Sequence, residues 1–180
     1  KAIRIATRTL VTLPMRFTHS LIEILSKAKP VFVNTQFNHP KEITPQALTA
    51  AAMLIDAGIP VANHFVLLKG INDTKECVEE LCRTLYHNRI RPYYMFQCDL
   101  VKGVEHFRTP ISTGIEIMDY LRGRLSGMAI PNFAVDIPGL SGKIELLPNY
   151  ILEERENETI LRDNRGRITS YPSPLKYIKQ

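Results

Sequence analysis

The stretch Ile59-Pro-Val-Ala-Asn-His-Phe-Val-Leu-Leu68 decides the fold class. It is a nearly continuous apolar run, which is typical of a buried strand in a parallel sheet. A polar loop, Lys69–Asp73, follows it, and Asp73 or Thr74 is placed to cap a helix. A second apolar run, Ile90–Gln97, comes after that helix. This part of the sequence therefore predicts one strand–helix–strand unit of an α/β fold.

The same alternation extends in both directions from this unit. Upstream, strands are predicted at 3–7 and 31–36, with helices that begin after Thr18 and Thr44. Downstream, a helix is predicted at about 113–125. Four strands with crossover helices imply a parallel sheet but do not close a barrel. We therefore expect one half of a barrel, whose first half is missing from this sequence.

The pattern changes after Lys143. Three short stretches look like antiparallel strands: 144–152, 159–162 and 167–171. Asn164-Arg165-Gly166 is a hairpin turn signal between the last two. We accordingly divide the chain into a barrel part, 1–137, and a part, 138–180, that holds the loop with Lys143 and a β-rich C-terminal extension.

Composition and charge exclude several classes of protein. The formal net charge is +5, but no basic block with interleaved aromatic residues is present, so we expect no nucleic-acid partner. No window approaches 18 consecutive apolar residues, so we expect no membrane span. The three cysteines, Cys77, Cys82 and Cys98, fit neither a zinc ribbon nor a disulfide framework. They are interpreted as reduced thiols of a cytoplasmic protein.

In barrel-like α/β folds the chemistry lies at the carboxyl ends of the strands. That rule selects eight polar residues: Arg8, Gln36, Asn38, His39, His64, Lys69, Asp99 and Asp136. Asp99 and Asp136 end two successive strands. Such a pair suggests a metal site, general acid–base work or a grip on a cationic ligand, and the alternative is a pair of caps or turn formers. No third ligand stands at metal spacing near either acid.

Lys143 follows a short apolar run, Phe133–Val135, and a loop with one proline and two glycines. A lysine at the end of such a loop can bind phosphate, or its amine can condense with a carbonyl as in enzymes that use pyridoxal 5′-phosphate (PLP). The alternative is an exposed lysine after a turn. His64 is a strand residue that points either into the core or into the barrel interior.

Several long motifs, in order along nearly the whole chain, closely resemble the lysine 2,3-aminomutase family. They are Asn34-Thr-Gln-Phe-Asn-His-Pro, Val66-Leu-Leu-Lys-Gly-Ile-Asn-Asp, Arg91-Pro-Tyr-Tyr-Met-Phe-Gln-Cys-Asp-Leu, Glu105-His-Phe-Arg-Thr-Pro, Gly114-Ile-Glu-Ile-Met, Leu121-Arg-Gly and Pro148-Asn-Tyr. The family consists of PLP-dependent radical S-adenosylmethionine (SAM) enzymes. The resemblance implies a partial (β/α) barrel of the radical SAM type, with this chain as its C-terminal half.

The resemblance also implies an activity, its cofactors and its assembly. The activity is the interconversion of L-α-lysine and L-β-lysine by radical 1,2-migration of the amino group, with PLP, SAM and a [4Fe-4S] cluster as cofactors. The Cys-x3-Cys-x2-Cys motif that binds the cluster is absent here, so its ligands are expected outside this chain. Thr74 stands where some members have a zinc-ligating cysteine, so no zinc is expected. We expect a homo-oligomer.

Five positions match functional residues of the family. Lys143 matches the lysine that forms the internal aldimine with PLP, and Asp99 and Asp136 match the acids that bind the distal ammonium of the substrate. Gln36 stands where the lysine enzyme usually has histidine, and His64 where it usually has glutamine. The pair near SAM is thus interpreted as exchanged, with one hydrogen-bonding network kept.

Three classes of alternative function stay open at this point: another free amino acid as substrate, a protein-bound lysine as substrate, and a protein without radical chemistry. The same chemistry on arginine is compatible with the acid pair, whereas glutamate enzymes replace these acids. The branch that acts on a protein-bound lysine ends soon after the PLP lysine, and the longer tail here favours the free amino acid. The third alternative is a PLP-binding fragment without radical chemistry.

Overall fold

A computed structural model describes residues 2–28, 30–137, 139 and 142–172 of the chain. The chain divides into two compact units, Lys1–Leu146 and Leu147–Gln180. Three residues of the predicted loop before Lys143, namely Pro138, Leu140 and Ser141, lie outside the described residues, as does the tail 173–180. The functional boundary predicted between 137 and 138 stays a proposal.

The first unit is built on a six-stranded sheet that curls into a half barrel. The strands are β1 (Ile3–Ala6), β2 (Val31–Thr35), β3 (Val61–Leu67), β4 (Arg91–Gln97), β5 (Asn132–Asp136) and β6 (Lys143–Glu145), and they neighbour one another in sequence order. The pairs from β1 to β5 are parallel, which confirms the predicted parallel sheet. β6 pairs antiparallel with β5; the sequence predicted an antiparallel strand that begins at 144, but not that it joins the parallel sheet.

The helices alternate with the parallel strands as predicted. They are α1 (Thr9–Thr12), α2 (His19–Lys27), α3 (Pro45–Asp56), α4 (Lys75–His87) and α5 (Ile111–Leu121). Thr18, Thr44 and Thr74 each accept, through the side-chain hydroxyl, a hydrogen bond from the backbone N–H three residues later. These bonds satisfy donors that the first helical turn leaves free. None of the helices in the described ranges is long and apolar enough to cross a membrane.

Helix α5 is shorter at its C-terminal end than the predicted 113–125. It ends at Leu121, and Gly123 then adopts a φ of 89°. This backbone conformation is open to glycine and incompatible with a continuing helix. The helix is already left at Arg122, whose ψ of 124° is extended, and the glycine keeps it from continuing, although the apolar pattern runs on to Leu125.

The sheet has one covered face and one open face. On β3, Val61, Asn63, Phe65 and Leu67 are buried under the helices, and the alternate residues are only half-buried. The apolar run predicted a strand buried throughout, but the helices cover a single face of the sheet in this chain. The half-buried positions line the open face, the inner side of the half barrel.

Gly114 of α5 packs against the sheet without room for a side chain. A Cβ at this position would lie 2.2 Å from Cζ of the fully buried Phe133 ring. We expect Gly114→Ala to lower the free energy of unfolding by about 1–3 kcal/mol, because a packed ring must move, and this outweighs the gain in helix propensity. Urea denaturation measures the change. Gly127→Ala is the matched control, since its Cβ would meet nothing within 4 Å, and equal losses in both variants would contradict the prediction.

The second unit contains a three-stranded antiparallel sheet in the order β7 (Ile151–Glu154), β8 (Glu158–Arg162), β9 (Ile168–Pro172). The predicted strands 159–162 and 167–171 and the turn between them are confirmed within one residue, with Gly166 at a φ of 79°. The predicted strand 144–152 is wrong as a single strand. It is divided between β6 and β7 by a loop that contains Pro148, which has no N–H to donate to a ladder.

Candidate active site

The open face carries a pair of stacked aromatic rings, Tyr94 and Phe96 of β4, called here the aromatic floor. Their ring centroids are 5.1 Å apart and the ring planes are inclined by 17°. Nζ of Lys143 lies 4.3 Å from the centroid of Phe96 and 4.8 Å from that of Tyr94. An ammonium group at this distance from an aromatic face is held by cation–π attraction. The lysine amine therefore lies over the open face of the sheet, away from the helix-covered core.

The local sequence explains how Lys143 reaches this position. Gly139 and Gly142 have φ values of 87° and 89°, a region that glycine enters without a steric cost. β6 pairs antiparallel with β5, so that Lys143 stands opposite Asp136. Opposite residues of an antiparallel pair project from the same face of the sheet. The glycines that marked this loop in the sequence thus set the direction of the lysine.

Asp99 and Asp136 meet in one cleft of about 250 Å³, which Leu100 and Val101 also line. Both side chains are exposed, and neither carboxylate has a hydrogen-bond or ion-pair partner among the residues that the structure describes. A cap or turn former would use its carboxylate in such a bond, so this alternative finds no support in the described contacts. Two unpaired like charges in one cleft favour a cation between them.

A metal ion is a poor fit to this acid pair. The described ranges contain no cluster of three or more histidine, cysteine, aspartate or glutamate side chains placed to hold a metal. A two-oxygen site leaves most of the ligands of a hard cation unsupplied. An organic cation needs only charge and hydrogen-bond acceptors, which both aspartates offer.

Gln36 directly follows β2, and His64 lies in the middle of the adjacent strand β3. Each follows one member of the registered pair Thr35 and Asn63. His64 contacts the edge of Phe96, with a centroid separation of 6.0 Å. Burial lowers the pKa of His64 below its ordinary value of 6.5, and the positive charges of Lys143 and Arg4 lower it further. The imidazole is therefore neutral at pH 7.

Sequence reasoning missed Glu145, which projects from β6 two residues after Lys143. Its Oε1 accepts hydrogen bonds from the Tyr94 hydroxyl at 2.9 Å and from Nδ2 of Asn132 at 3.4 Å. The bond to the carboxylate raises the pKa of Tyr94 to about 12. The contact ties the aromatic floor to the strand that bears the lysine. A two-residue offset from Lys143 in a strand is the signal that would have found Glu145.

The cysteines do not form a site. Cys82 is buried in α4 and Cys98 is buried after β4, whereas Cys77 is partly exposed near the start of α4. Burial is the main cause that raises the pKa of all three thiols, so they are protonated at pH 7. An iron–sulfur cluster binds thiolates brought together in space, and these residues do not fit one.

Comparison with known proteins decides the family. A family model described as Lysine-2,3-aminomutase matches residues 118–180. The L-lysine 2,3-aminomutase of Clostridium subterminale is 49% identical over 175 residues, which is 97% of this chain. The chain belongs to the lysine 2,3-aminomutase family. It matches the C-terminal part of these relatives and spans about two fifths of their length, 42% in the clostridial protein.

Two further members of the lysine 2,3-aminomutase family bear on specificity. The L-lysine 2,3-aminomutase of Bacillus subtilis is 49% identical over 178 residues, 99% of this chain and 38% of that protein. The glutamate 2,3-aminomutase of Clostridioides difficile is 45% identical over 166 residues, 92% of this chain and 39% of that protein. The overall identity of this chain to the lysine enzyme and to the glutamate enzyme therefore differs by only a few per cent. The distinction between the two substrates must lie in the site residues.

Solved structures similar to this family member are radical SAM proteins. A radical SAM methyltransferase from Sphaerobacter thermophilus matches 74% of this chain and 40% of its own, with a TM-score of 0.56 and 18% identity. SuiB of Streptococcus suis bound to S-adenosylmethionine matches 74% of this chain and 32% of its own, with a TM-score of 0.51 and 18% identity. At this identity the likeness concerns the fold alone. It confirms the predicted radical SAM partial barrel.

Proposed function

We propose that the chain is the C-terminal part of an L-lysine 2,3-aminomutase, which interconverts L-α-lysine and L-β-lysine by 1,2-migration of the amino group. The observation that carries the proposal is a pair of carboxylates in one cleft, Asp99 and Asp136, neither of which has a partner among the described residues. Asp136 also stands opposite Lys143. A substrate with a reacting amine at one end and a distal ammonium at the other suits this arrangement of one lysine and two acids.

Lys143 is the residue proposed to hold PLP. Its amine is exposed on the open face and has a flat aromatic floor beneath it, which fits a planar group attached at Nζ. When bound, PLP supplies a conjugated system that delocalises electrons from the reacting centre. The floor excludes water from one side of that position, and the Tyr94–Glu145 hydrogen bond fixes the ring in place.

Gln36 and His64 are the residues proposed to contact SAM. The family usually has these two residue types in the opposite order, and here they occupy neighbouring positions on adjacent strands. Side chains at such positions reach the same space on the open face. The proximity supports one hydrogen-bonding network with exchanged members. Because His64 is neutral, it offers one donor and one acceptor to that network.

The acid pair favours lysine over glutamate. The distal carboxylate of glutamate would face two unpaired aspartates at close range, and like charges in such a cleft repel. Arginine carries a cationic distal group, so charge alone distinguishes it less well. Neither the homo-oligomer nor the cytoplasmic location is tested by these contacts, and both stay predictions.

Product formation tests the proposal. The test uses the complete enzyme, which is the protein that carries these 180 residues together with the remaining length of the relatives. It is reconstituted anaerobically with iron, sulfide, PLP, SAM and a reductant. We expect it to convert α-lysine to β-lysine, with arginine and glutamate assayed in parallel. We expect no product from residues 1–180 alone, because SAM cleavage needs an electron from a reduced cluster and the cysteines described above do not fit one.

Three results would count against the proposal. If the enzyme converts arginine or glutamate in preference to lysine, the substrate assignment is wrong. Absence of any product from the complete enzyme, with PLP bound, would favour a PLP-binding protein without radical chemistry. Formation of β-lysine by residues 1–180 alone would refute the placement of the cluster ligands outside this chain.

A further inference from the structure

Three asparagines lie buried around the loop that carries Gln36. Asn38 is 8% exposed, and Asn63 and Asn72 are 0% exposed. Asn63 binds both backbone groups of one loop residue, since its Oδ1 accepts from the Phe37 N–H at 2.7 Å and its Nδ2 donates to the Phe37 carbonyl at 3.1 Å. Buried amides are retained where their hydrogen bonds fix a backbone, because an unpaired buried amide is costly.

Asn72 fixes the same loop from the neighbouring one. Its Nδ2 donates to the carbonyl oxygens of Asn38 at 2.7 Å and Val66 at 2.9 Å, and its Oδ1 accepts from the Leu68 N–H at 2.7 Å. Both hydrogens and the oxygen of the amide are thus engaged, so its orientation is determined. Asn72 joins the end of β3 to the residue that follows Gln36 and Phe37.

The orientation of the Asn38 side chain is determined in the same way. Its Oδ1 accepts from the Val66 N–H at 3.2 Å, and a backbone N–H can only donate, so the atom there is the oxygen. The backbone N–H of Asn38 is itself held by Glu42 Oε2 at 2.5 Å. The other oxygen of Glu42 pairs with Arg8, which follows β1.

Asn38 determines the orientation of the Gln36 side-chain amide. Because Asn38 presents an oxygen, Gln36 must turn its NH₂ group toward it, and Nε2 lies 3.4 Å from Oδ1. The side-chain oxygen of Gln36, Oε1, has no hydrogen-bond partner within the described part of the chain. Gln36 therefore offers an acceptor next to His64 on the open face.

We propose that Asn38 and Asn72 are positioning residues that hold Gln36 as a hydrogen-bond acceptor for a hydroxyl-bearing ligand. The inference rests on the proposed function, in which that ligand is SAM, a molecule whose ribose carries two hydroxyl groups. An unsupported glutamine turns its amide over and offers a donor as readily as an acceptor. The buried asparagines remove that freedom, so Gln36 presents its amide oxygen, a hydrogen-bond acceptor, to the ligand.

A double-mutant cycle tests the inference in the complete enzyme, with SAM binding measured by equilibrium dialysis. Asn38→Ala removes the oxygen that orients Gln36, and we expect SAM to bind about tenfold more weakly, or about 1.4 kcal/mol. Asn38→Asp keeps that oxygen, so we expect it to restore part of the affinity that Asn38→Ala loses. In a Gln36→Ala background, Asn38→Ala should cause no further loss, because no amide is left to orient.

The outcomes separate the inference from the proposed function. If the wild-type enzyme binds SAM but the losses in the cycle are additive, Asn38 acts only on the fold. That result would overturn this inference and leave the proposed function standing. An Asn38→Asp variant as weak as Asn38→Ala would do the same. Wild-type enzyme that does not bind SAM overturns both. If Asn38→Ala does not fold, Asn38→Leu, which is close to asparagine in volume, takes its place.

Discussion

Replacing Lys143 with alanine in the complete enzyme should lower kcat/KM for lysine on the order of 10³-fold or more, as expected when a side chain that acts in the transition state is lost. The same change should abolish covalent attachment of PLP. Borohydride reduction of the wild-type enzyme with PLP, followed by peptide mapping, should find the pyridoxyl group on Lys143. The reason is that its amine is exposed over the aromatic floor.

Lys69→Ala is the matched control for this prediction. Lys69 is an exposed lysine just after β3, near the same edge of the sheet, but it has no aromatic floor among its described contacts. We expect its removal to leave PLP attachment and turnover within about twofold, as for surface substitutions in general. A pyridoxyl group on Lys69, or full attachment in Lys143→Ala, would refute the assignment.

Neutralising the acid pair should produce the second large effect. A charge-assisted hydrogen bond contributes about 1.5–3 kcal/mol, so Asp99→Asn and Asp136→Asn should each lower kcat/KM for lysine by roughly tenfold or more. The double variant should lose about a hundredfold, because no carboxylate is left to hold the distal ammonium. Borohydride labelling of Lys143 should be unaffected in all three variants, since that step does not need the acids.

A surface acid gives the control for the acid pair. Asp56 is an exposed aspartate that pairs with Arg89 at 2.8 Å, so Asp56→Asn removes the same charge outside the cleft. Its kcat/KM for lysine should stay within about twofold of the wild type. If both single variants in the cleft behave like this control, Asp99 and Asp136 have no part in substrate binding.

Local rules predicted most of the first unit. The caps at Thr18 and Thr44 and the strand of 59–68 were predicted from short-range patterns, and each depends on contacts within a few residues. The carboxyl-end rule then selected Asp99 and Asp136, which the structure brings into one cleft. Their pairing was predictable because neighbouring strands of a parallel sheet end at the same edge.

The parts that sequence reasoning missed depend on contacts between distant segments. β6 is three residues long, and its place in the sheet depends on antiparallel pairing with β5. Glu145 holds the aromatic floor only through its hydrogen bond from Tyr94, which is 51 residues away in the sequence. Asn72 acts on Asn38 across 34 residues. No local periodicity reports such contacts, and the resemblance motifs contain both asparagines without indicating what they bind.

The short strand β6 also has a consequence for association between chains. Without it, β5 would end the sheet with a row of unpaired backbone N–H and C=O groups, and such an open edge recruits strands from other molecules. β6 covers that edge with three residues, of which Lys143 and Glu145 are charged, and a charged edge resists further addition. Protection against aggregation and the amine proposed to hold PLP are therefore carried by one segment, and a chain truncated before Lys143 would lose both together.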